Sequence, residues 1–146
     1  MKPPPEGWPR LSTCVFYADP RKAIDWLGRA FAFEARLVVE GDGGRIEHSE
    51  LTYGDALIMV GEAARPETQY QQSPVQVGGA NTQVACFHVE DVDGHCARSR
   101  AAGARIVREP KTSDYGEDYW SDRSYEAVDP EGHHWYFIQR MRTGRG

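Results

Sequence analysis

Two short apolar runs are joined by a turn in the stretch Tyr125-Glu-Ala-Val-Asp-Pro-Glu-Gly-His-His-Trp-Tyr-Phe-Ile138. Asp129 and Pro130 begin the turn, because proline fixes φ near the value that a first turn position needs. Gly132 follows as a residue that tolerates a positive φ. The aromatic and β-branched residues after the turn fit a pleated, half-buried surface. The stretch therefore predicts a β-hairpin near the end of the chain.

This hairpin closes the second of two similar halves. The segment Leu11-Ser-Thr-Cys-Val-Phe-Tyr-Ala-Asp19 matches Gln83-Val-Ala-Cys-Phe-His-Val-Glu-Asp91 in kind, at an offset of 72 residues. Each segment reads as a strand that ends at an aspartate, and aspartate is a preferred N-cap of helices. A proline also follows Asp19, at the first helical position that proline favours. Both halves are therefore predicted to run from a strand into a helix.

Three further strands are predicted after each helix. In the first half they span 34–40, 45–53 and 56–62, and in the second half 104–109, 123–128 and 133–140. We place module 1 at about 9–62 and module 2 at about 83–141, with a linker rich in Gln, Pro, Gly and Ser at 63–82. The irregular stretch 111–121 carries three large aromatic residues and is predicted to be a long loop of the lid or rim type.

Composition limits the function classes. A chain of 146 residues, 40% hydrophobic and 27% charged, is long enough for one domain with a buried core. Its net charge of −5 and its lack of a basic block argue against nucleic-acid binding, which needs clustered Lys and Arg. A small organic molecule, neutral or cationic, is the expected partner.

The sequence also indicates a compartment. No run approaches the ~18 apolar residues of a membrane span, and the N-terminus lacks an apolar signal core. The cysteines Cys14, Cys86 and Cys96 are an odd number without metal-type spacing, which favours reduced thiols over a disulfide framework. We therefore expect a cytoplasmic protein without a membrane partner.

A duplicated βαβββ unit with Asp-Pro-Glu-Gly-His133 in its last hairpin resembles the glyoxalase, bleomycin-resistance and extradiol-dioxygenase superfamily, also called the vicinal oxygen chelate superfamily. The resemblance extends from about Leu11 to Arg140 and is greatest to small bleomycin-resistance-like members. It implies an α+β fold in which two βαβββ modules form a curved, incomplete mixed β-barrel, with helices outside and a ligand cavity inside. It also implies a homodimer, with the modules paired within one chain or exchanged between two.

Metal-dependent relatives place His, Gln or Glu ligands on the first and last strands of each module. The matching positions here are Ser12, Val84, Tyr136 and either Met59 or Leu57, none of which is a good metal ligand. We therefore predict no metal, no other cofactor and no catalytic residue. The alternative, a metal-dependent lyase, glyoxalase or dioxygenase, needs a shifted site. That site would combine His48, Glu50, His88 and His134.

Strand alternation separates a core face from a cavity face. We expect Val15, Phe87, Trp135 and Phe137 in the core. Aromatic faces and scattered polar groups on the cavity side suit a planar or extended organic ligand. The predicted ligand-binding residues are Phe16, His48, Glu50, Cys86, His88, Tyr119, Trp120, Glu126, His134 and Tyr136.

Several polar residues also have plain structural interpretations. For Glu50 and Glu126 a solvated sheet edge is slightly favoured over a paired carboxylate. His133 is expected to stabilise its own turn, and His95 to lie on a wet or partly packed helix face. Arg123 is expected to pair with a nearby acidic residue, either Asp122 or Asp129.

Three hypotheses follow. The first is a metal-free binding protein that sequesters an antibiotic or another aromatic or cationic compound. The second is the metal-dependent enzyme with the shifted site. The third is a dimeric interaction module whose cavity is vestigial. Bound metal would discriminate the second from the first, and the absence of any ligand would favour the third.

Overall fold

The chain folds into two successive βαβββ units, as its internal repeat predicts. A computed structural model describes residues 1–145. The first unit comprises β1 (Thr13–Tyr17), α1 (Pro20–Phe31), β2 (Glu34–Glu40), β3 (Ile46–Tyr53) and β4 (Ala56–Glu62). The second unit comprises β5 (Ala85–His88), α2 (Val92–Ala101), β6 (Arg105–Asp114), β7 (Ser121–Val128) and β8 (His134–Arg142).

Each unit forms its own four-stranded mixed sheet. The strand orders are β1-β4-β3-β2 and β5-β8-β7-β6, so the first strand of each unit lies beside its last. That pair is parallel, whereas the other neighbours are antiparallel. Over residues 1–145 the sheets do not close into a barrel. The predicted α+β class, with two βαβββ modules in curved, incomplete sheets, is confirmed.

Both helices begin at the predicted aspartate caps. The Asp19 carboxylate accepts a hydrogen bond from the Lys22 backbone N–H at 3.1 Å, and Asp91 accepts one from Gly94 at 3.1 Å. These bonds satisfy amide groups that the first helical turn leaves without partners. Gly103, with φ of +96°, lies just after α2 in a conformation that favours glycine.

The two units share one aromatic core. Phe31 at the end of α1 packs on Trp135 and Phe137 of β8, with ring centroids 5.5 and 4.8 Å apart. The Trp26 indole N–H donates to the Ala102 carbonyl at 2.8 Å, which ties α1 to the end of α2. All four predicted core residues are buried; they are Val15, Phe87, Trp135 and Phe137.

The turn of the last hairpin joins the two units. The buried Asp129 carboxylate accepts hydrogen bonds from the Tyr17 hydroxyl at 2.7 Å and the Trp135 indole N–H at 3.1 Å. The Glu131 carboxylate accepts from the backbone N–H groups of Ala18 and Asp19, at 2.7 and 3.0 Å. The turn that predicts the hairpin therefore also holds the β1–α1 junction of module 1.

Two local predictions are wrong and one is incomplete, each because a partner lies far away in sequence. His133 contacts the Phe16 carbonyl across the modules, at 2.7 Å, rather than only its own turn. His95 is buried, between the Tyr125 hydroxyl at 2.6 Å and the Phe31 carbonyl at 2.9 Å. Arg123 pairs with Asp93 of α2, at 2.8 Å.

The stretch 111–121 is also different from its prediction. Residues 111–114 continue β6, and Ser121 begins β7 as the register partner of Asp114. Only 115–120 form a turn, so the stretch is the end of a hairpin and not a long loop. Its strand residues are mostly polar, and they therefore lack the apolar alternation that identifies a strand. Among residues 1–145 no helix has the length and apolar character to cross a membrane.

Candidate ligand-binding groove

A groove of about 950 Å³ runs between β1 and β5, the first strands of the two modules. Residues 11–16 and 82–88 form its walls, the linker contributes parts of 70–81, and the hairpin contributes 133–135. The Ser12 hydroxyl lines the groove and finds no hydrogen-bond partner among residues 1–145. Four of the predicted ligand-binding residues line the groove; they are Phe16, Cys86, His88 and His134.

Phe16 forms an aromatic part of the groove wall because of a glycine beside it. Its register partner on β4 is Gly61, and a β-carbon at that glycine would lie 3.2 Å from two atoms of the Phe16 ring. That spacing is tighter than ordinary side-chain packing, so the ring lies directly against the backbone. The groove thus gains a flat apolar surface on the module 1 side.

From the groove, equivalent rows of side chains cross the two sheets. In module 2, Cys86 of β5 pairs with Tyr136 of β8, which pairs with Glu126 of β7, which pairs with Arg108 of β6. Register partners share a face of a sheet, so these four side chains, which we call row 2, belong to one surface.

Row 1 is the equivalent in module 1. Cys14 pairs with Met59, which lies beside Glu50, and Glu50 pairs with Leu37. A register shift between positions 35 and 37 adds Arg36 next to this row. Arg36 and Arg108 are 72 residues apart, the offset that also relates the two cysteines.

Glu50 in row 1 is fully engaged by neighbouring side chains. One carboxylate oxygen accepts from Arg36 Nε at 2.9 Å and Nη2 at 2.7 Å, and the other contacts His48 Nε2 at 3.0 Å. Hydrogen bonds from His48 and Arg36 hold the pKa of Glu50 below its usual range. The residue is only 6% exposed, so the predicted solvated edge is wrong here.

The N-terminal segment covers this ion pair. The Arg36 guanidinium lies 5.4 Å from the centroid of the Trp8 ring and donates to the Gly7 carbonyl at 2.6 Å. Guanidinium and indole stack favourably because the ring face is electron-rich. Row 1 therefore ends in a closed cluster of Trp8, Arg36 and Glu50.

Glu126 and Arg108 in row 2 do not pair with each other. Glu126 contacts His134 Nδ1 at 2.6 Å, and its side chain is 16% exposed, so the solvated-edge prediction is wrong here too. Arg108 lies over the Tyr136 ring, 5.7 Å from its centroid, and donates to the Ser124 hydroxyl at 2.9 Å. Within residues 1–145 Arg108 has no ion pair. Row 2 thus presents a separate carboxylate and guanidinium.

The remaining predicted site residues lie outside the groove lining. Tyr136 and Glu126 belong to row 2, whereas His48 and Glu50 lie on the module 1 sheet. Tyr119 and Trp120 lie in the hairpin turn, where the Arg140 guanidinium stacks on Trp120 at 5.2 Å. Three residues that contact the predicted site residues were not predicted from the sequence; they are Trp8, Arg36 and Arg108. The repeat offset could have paired the two arginines, but no signal indicates Trp8.

The side chains at the metal positions do not fit a metal. Met59, rather than Leu57, is the counterpart of Tyr136, because they pair with Cys14 and Cys86 respectively. Ser12, Val84, Met59 and Tyr136 supply no histidine or carboxylate. In the described part of the chain no three His, Cys, Asp or Glu side chains converge. The shifted site is therefore not assembled, since its residues are divided between the two sheets.

The groove cysteines are not activated nucleophiles. Partial burial raises the pKa of both the Cys14 and the Cys86 thiol above the usual value. A raised pKa keeps a thiol protonated at neutral pH, whereas the reactive form is the thiolate. The groove has features of a binding surface more than of a nucleophilic site.

Known proteins share this architecture. Residues 10–137 match the family model of the Glyoxalase/Bleomycin resistance protein/Dioxygenase superfamily. An uncharacterised protein of Mycobacterium bovis is 29% identical over 136 residues, which cover 92% of this chain and 85% of that protein.

Two solved structures extend the comparison. TioX from Micromonospora sp. ML1 is 33% identical, with a TM-score of 0.68 over 90% of this chain and 95% of TioX. TnmS3, an antibiotic binding protein from Streptomyces sp. CB03234, is 19% identical, with a TM-score of 0.64 over 88% of this chain and 93% of TnmS3. The likeness to TnmS3 concerns the fold alone.

Proposed function

Since the chain belongs to the glyoxalase/bleomycin-resistance/dioxygenase superfamily, we propose that it binds a planar organic compound without transforming it. The observation that carries this proposal is a groove that shares Cys86 with row 2, whose carboxylate and guanidinium are not paired with each other. The donor set for a catalytic metal is missing from the matching positions, and no activated thiol replaces it.

The shape and lining of the groove favour an aromatic ligand. Small-molecule pockets typically measure roughly 300–1,000 Å³ and combine apolar walls with a few polar groups. The groove, at about 950 Å³, lies at the upper end of that range. Phe16 provides a flat apolar surface in the groove wall, against which a planar ring system can pack.

The charges favour a ligand with a cationic group, and they indicate where it binds. Glu50 is already held by Arg36 and His48, so a ligand cation would have to displace an existing partner. Within residues 1–145 the Glu126 carboxylate contacts the His134 ring and no Lys or Arg side chain, and a ligand ammonium or amidinium can join it there. The net charge of −5 also attracts cations to the molecule as a whole.

The biological role we propose is sequestration of an antibiotic. TnmS3, which shares the fold, is an antibiotic binding protein. We place this role in the cytoplasm, because the three free cysteines suit a reducing compartment. Sequestration depends on tight binding, with each site removing one ligand molecule from solution.

We also propose that the chain acts as a homodimer. The edge strand β2 leaves Leu37, Val38 and Val39 exposed, and an apolar edge strand is a surface that a second copy can cover. The substitution Val38→Lys should then shift the sedimentation coefficient from that of a dimer toward that of a monomer. A monomeric wild-type protein at micromolar concentration would contradict this.

The binding proposal is tested with acridine orange, a planar aromatic cation, by isothermal titration calorimetry. We expect one dye per site in the wild-type protein and about tenfold weaker binding by Glu126→Gln, which loses a charge-assisted contact. Glu117→Gln is the matched control, since Glu117 is highly exposed and pairs with Arg145 in the hairpin turn.

Two results would count against the proposal. Equal dye affinity of the two variants would show that Glu126 is not the cation site. Absence of binding by any planar compound, with the protein still dimeric, would favour the interaction-module hypothesis instead. Stoichiometric metal in the purified protein would favour the enzyme hypothesis.

A further inference from the structure

Arg36 and Arg108 lie beside equivalent glutamates, Arg36 at the register shift next to Leu37 and Arg108 directly opposite Glu126, but their guanidinium groups bind different partners. Both stack on an aromatic ring, Arg36 on Trp8 at 5.4 Å and Arg108 on Tyr136 at 5.7 Å. Arg36 also binds a carboxylate, that of Glu50, through two of its nitrogens at 2.9 and 2.7 Å. Among residues 1–145 the Arg108 guanidinium donates one side-chain hydrogen bond, to the Ser124 hydroxyl at 2.9 Å.

In module 1 a carboxylate completes the pairing of a guanidinium with an aromatic ring. An aromatic ring fixes the plane of the guanidinium, and a carboxylate then binds its edge through two parallel N–H donors. In module 2 the ring is present but the carboxylate is not, because Glu126 is turned to His134 at 2.6 Å. The edge of the Arg108 guanidinium remains open.

The position of Arg108 connects it to the groove. Its guanidinium reaches back over Tyr136, and Tyr136 is the register partner of the groove residue Cys86. Lys111 lies opposite Ser124 in the register of β6 and β7, so a second cation is carried by the same edge strand. The nearby Arg140 is already paired with Asp122, at 2.5 Å.

We propose that Arg108 binds a carboxylate of the ligand, in the way that Arg36 binds Glu50. The inference rests on the proposed binding function and names its ligand class: a planar aromatic compound that carries a carboxylate beside its cationic group. The carboxylate meets Arg108 and Ser124, the ring packs along Tyr136, and the cation meets Glu126. Row 2 recognises both charges, whereas row 1 satisfies its charges internally.

The test compares 2-naphthoate with 2-naphthamide, which has the same ring system without the charge, by isothermal titration calorimetry. We expect the wild-type protein to bind the carboxylate about tenfold more tightly than the amide, as for a charge-assisted bidentate contact. Arg108→Gln should reduce that ratio to about one. Arg108→Lys should retain part of it, since an ammonium keeps the charge but not the planar fork.

Arg29→Gln is the matched control, because Arg29 is an exposed residue of α1 whose side chain pairs with Asp25. It should leave the ratio unchanged although it removes the same charge. A ratio near one in the wild-type protein, or a ratio that persists in Arg108→Gln, overturns the assignment of Arg108 while the binding function stands. If neither compound binds although acridine orange does, this inference fails and the binding function stands; if acridine orange does not bind either, both fail.

Discussion

Each module carries an arginine beside an equivalent glutamate, Arg36 at the register shift of β2 and Arg108 directly opposite Glu126, yet only module 1 joins the two side chains. Arg36 and Glu50 form an ion pair beneath Trp8, whereas Arg108 and Glu126 each turn to another partner. A duplicated frame can therefore use one copy of a polar cluster to stabilise the fold and leave the other copy available to a ligand.

The modules also differ at one position next to their glutamates. His134 lies two residues before Tyr136, and its counterpart before Met59 is Leu57, which is buried and apolar. A histidine can compete for the glutamate and a leucine cannot. The closed pair of module 1 also has a cover in Trp8, which contacts Arg36 from the N-terminal segment.

The largest expected effect comes from breaking the joint between the modules. Asp129→Ala removes the acceptor of the Tyr17 hydroxyl and the Trp135 indole N–H and leaves both buried donors without a partner. We expect a loss of roughly 3 kcal/mol in the free energy of unfolding, measured in urea. Asp55→Ala changes the corresponding, exposed turn of module 1 and should cost less than about 0.5 kcal/mol. Similar losses for the two variants would contradict the role of Asp129.

A second difference between the modules is their response to acid. His95 of α2 is buried, whereas the residue at the same offset in α1 is Ala23. Burial lowers the pKa of His95 below the ordinary value of 6.5, so the unfolded chain binds a proton at a higher pH than the folded one. The contribution of neutral, buried His95 to the free energy of unfolding is fully present above about pH 6.5. It is lost as the pH falls toward the lower pKa of His95 in the folded state.

The measurement is a series of urea unfolding curves between pH 7.5 and 5. The free energy of unfolding of the wild-type protein should fall by up to about 1.4 kcal/mol per pH unit on the acid side, through this one residue. His95→Gln should be less stable at neutral pH but should show a shallower slope. An unchanged slope in that variant would mean that another group causes the acid response.

Stability should also distinguish the two arginines. Arg36→Gln leaves the nearly buried Glu50 carboxylate with His48 alone, and we expect a melting temperature lower by a few degrees. Arg108→Gln removes no ion pair, so its melting temperature should stay close to that of the wild-type protein. Equal shifts in differential scanning calorimetry would show that the two clusters are energetically alike.

The smallest expected change in stability comes from His134→Leu, which gives module 2 the residue type of module 1. Without the histidine, Glu126 is free to turn to Arg108, and an exposed pair of this kind changes stability by less than about 1 kcal/mol. Affinity for acridine orange should nevertheless fall, because the two charges now neutralise each other. Unchanged affinity would show that His134 does not hold Glu126 available.

Interactions between residues close in sequence were enough to predict the order of helices and strands. The caps Asp19 and Asp91 act within three residues, and the turn at Asp129 acts within four, so their signals are contiguous in sequence. The strands and the shared core follow from alternation for the same reason. The polar continuation of β6 beyond residue 110 lacks that alternation, and it was therefore predicted as a loop.

The site was less predictable because its partners are remote. His95 meets Tyr125, 30 residues away, and nothing in the helix pattern marks a buried histidine. Arg36 reaches Glu50 only because a register shift turns it toward that row. Alternation placed Glu126 and Tyr136 together, but it did not reveal that Arg108 of β6 lies over the Tyr136 ring.

The most direct test follows the side-chain Nε–H signals of the arginines by nuclear magnetic resonance as 2-naphthoate is added. The Arg108 and Arg36 signals are assigned from their loss in Arg108→Gln and Arg36→Gln. An open guanidinium in row 2 and a closed one in row 1 predict a saturable shift of the Arg108 signal and an unmoved Arg36 signal. A shift confined to Arg36, or equal shifts of both signals, would contradict the claim that row 2 binds the ligand while row 1 stabilises the fold.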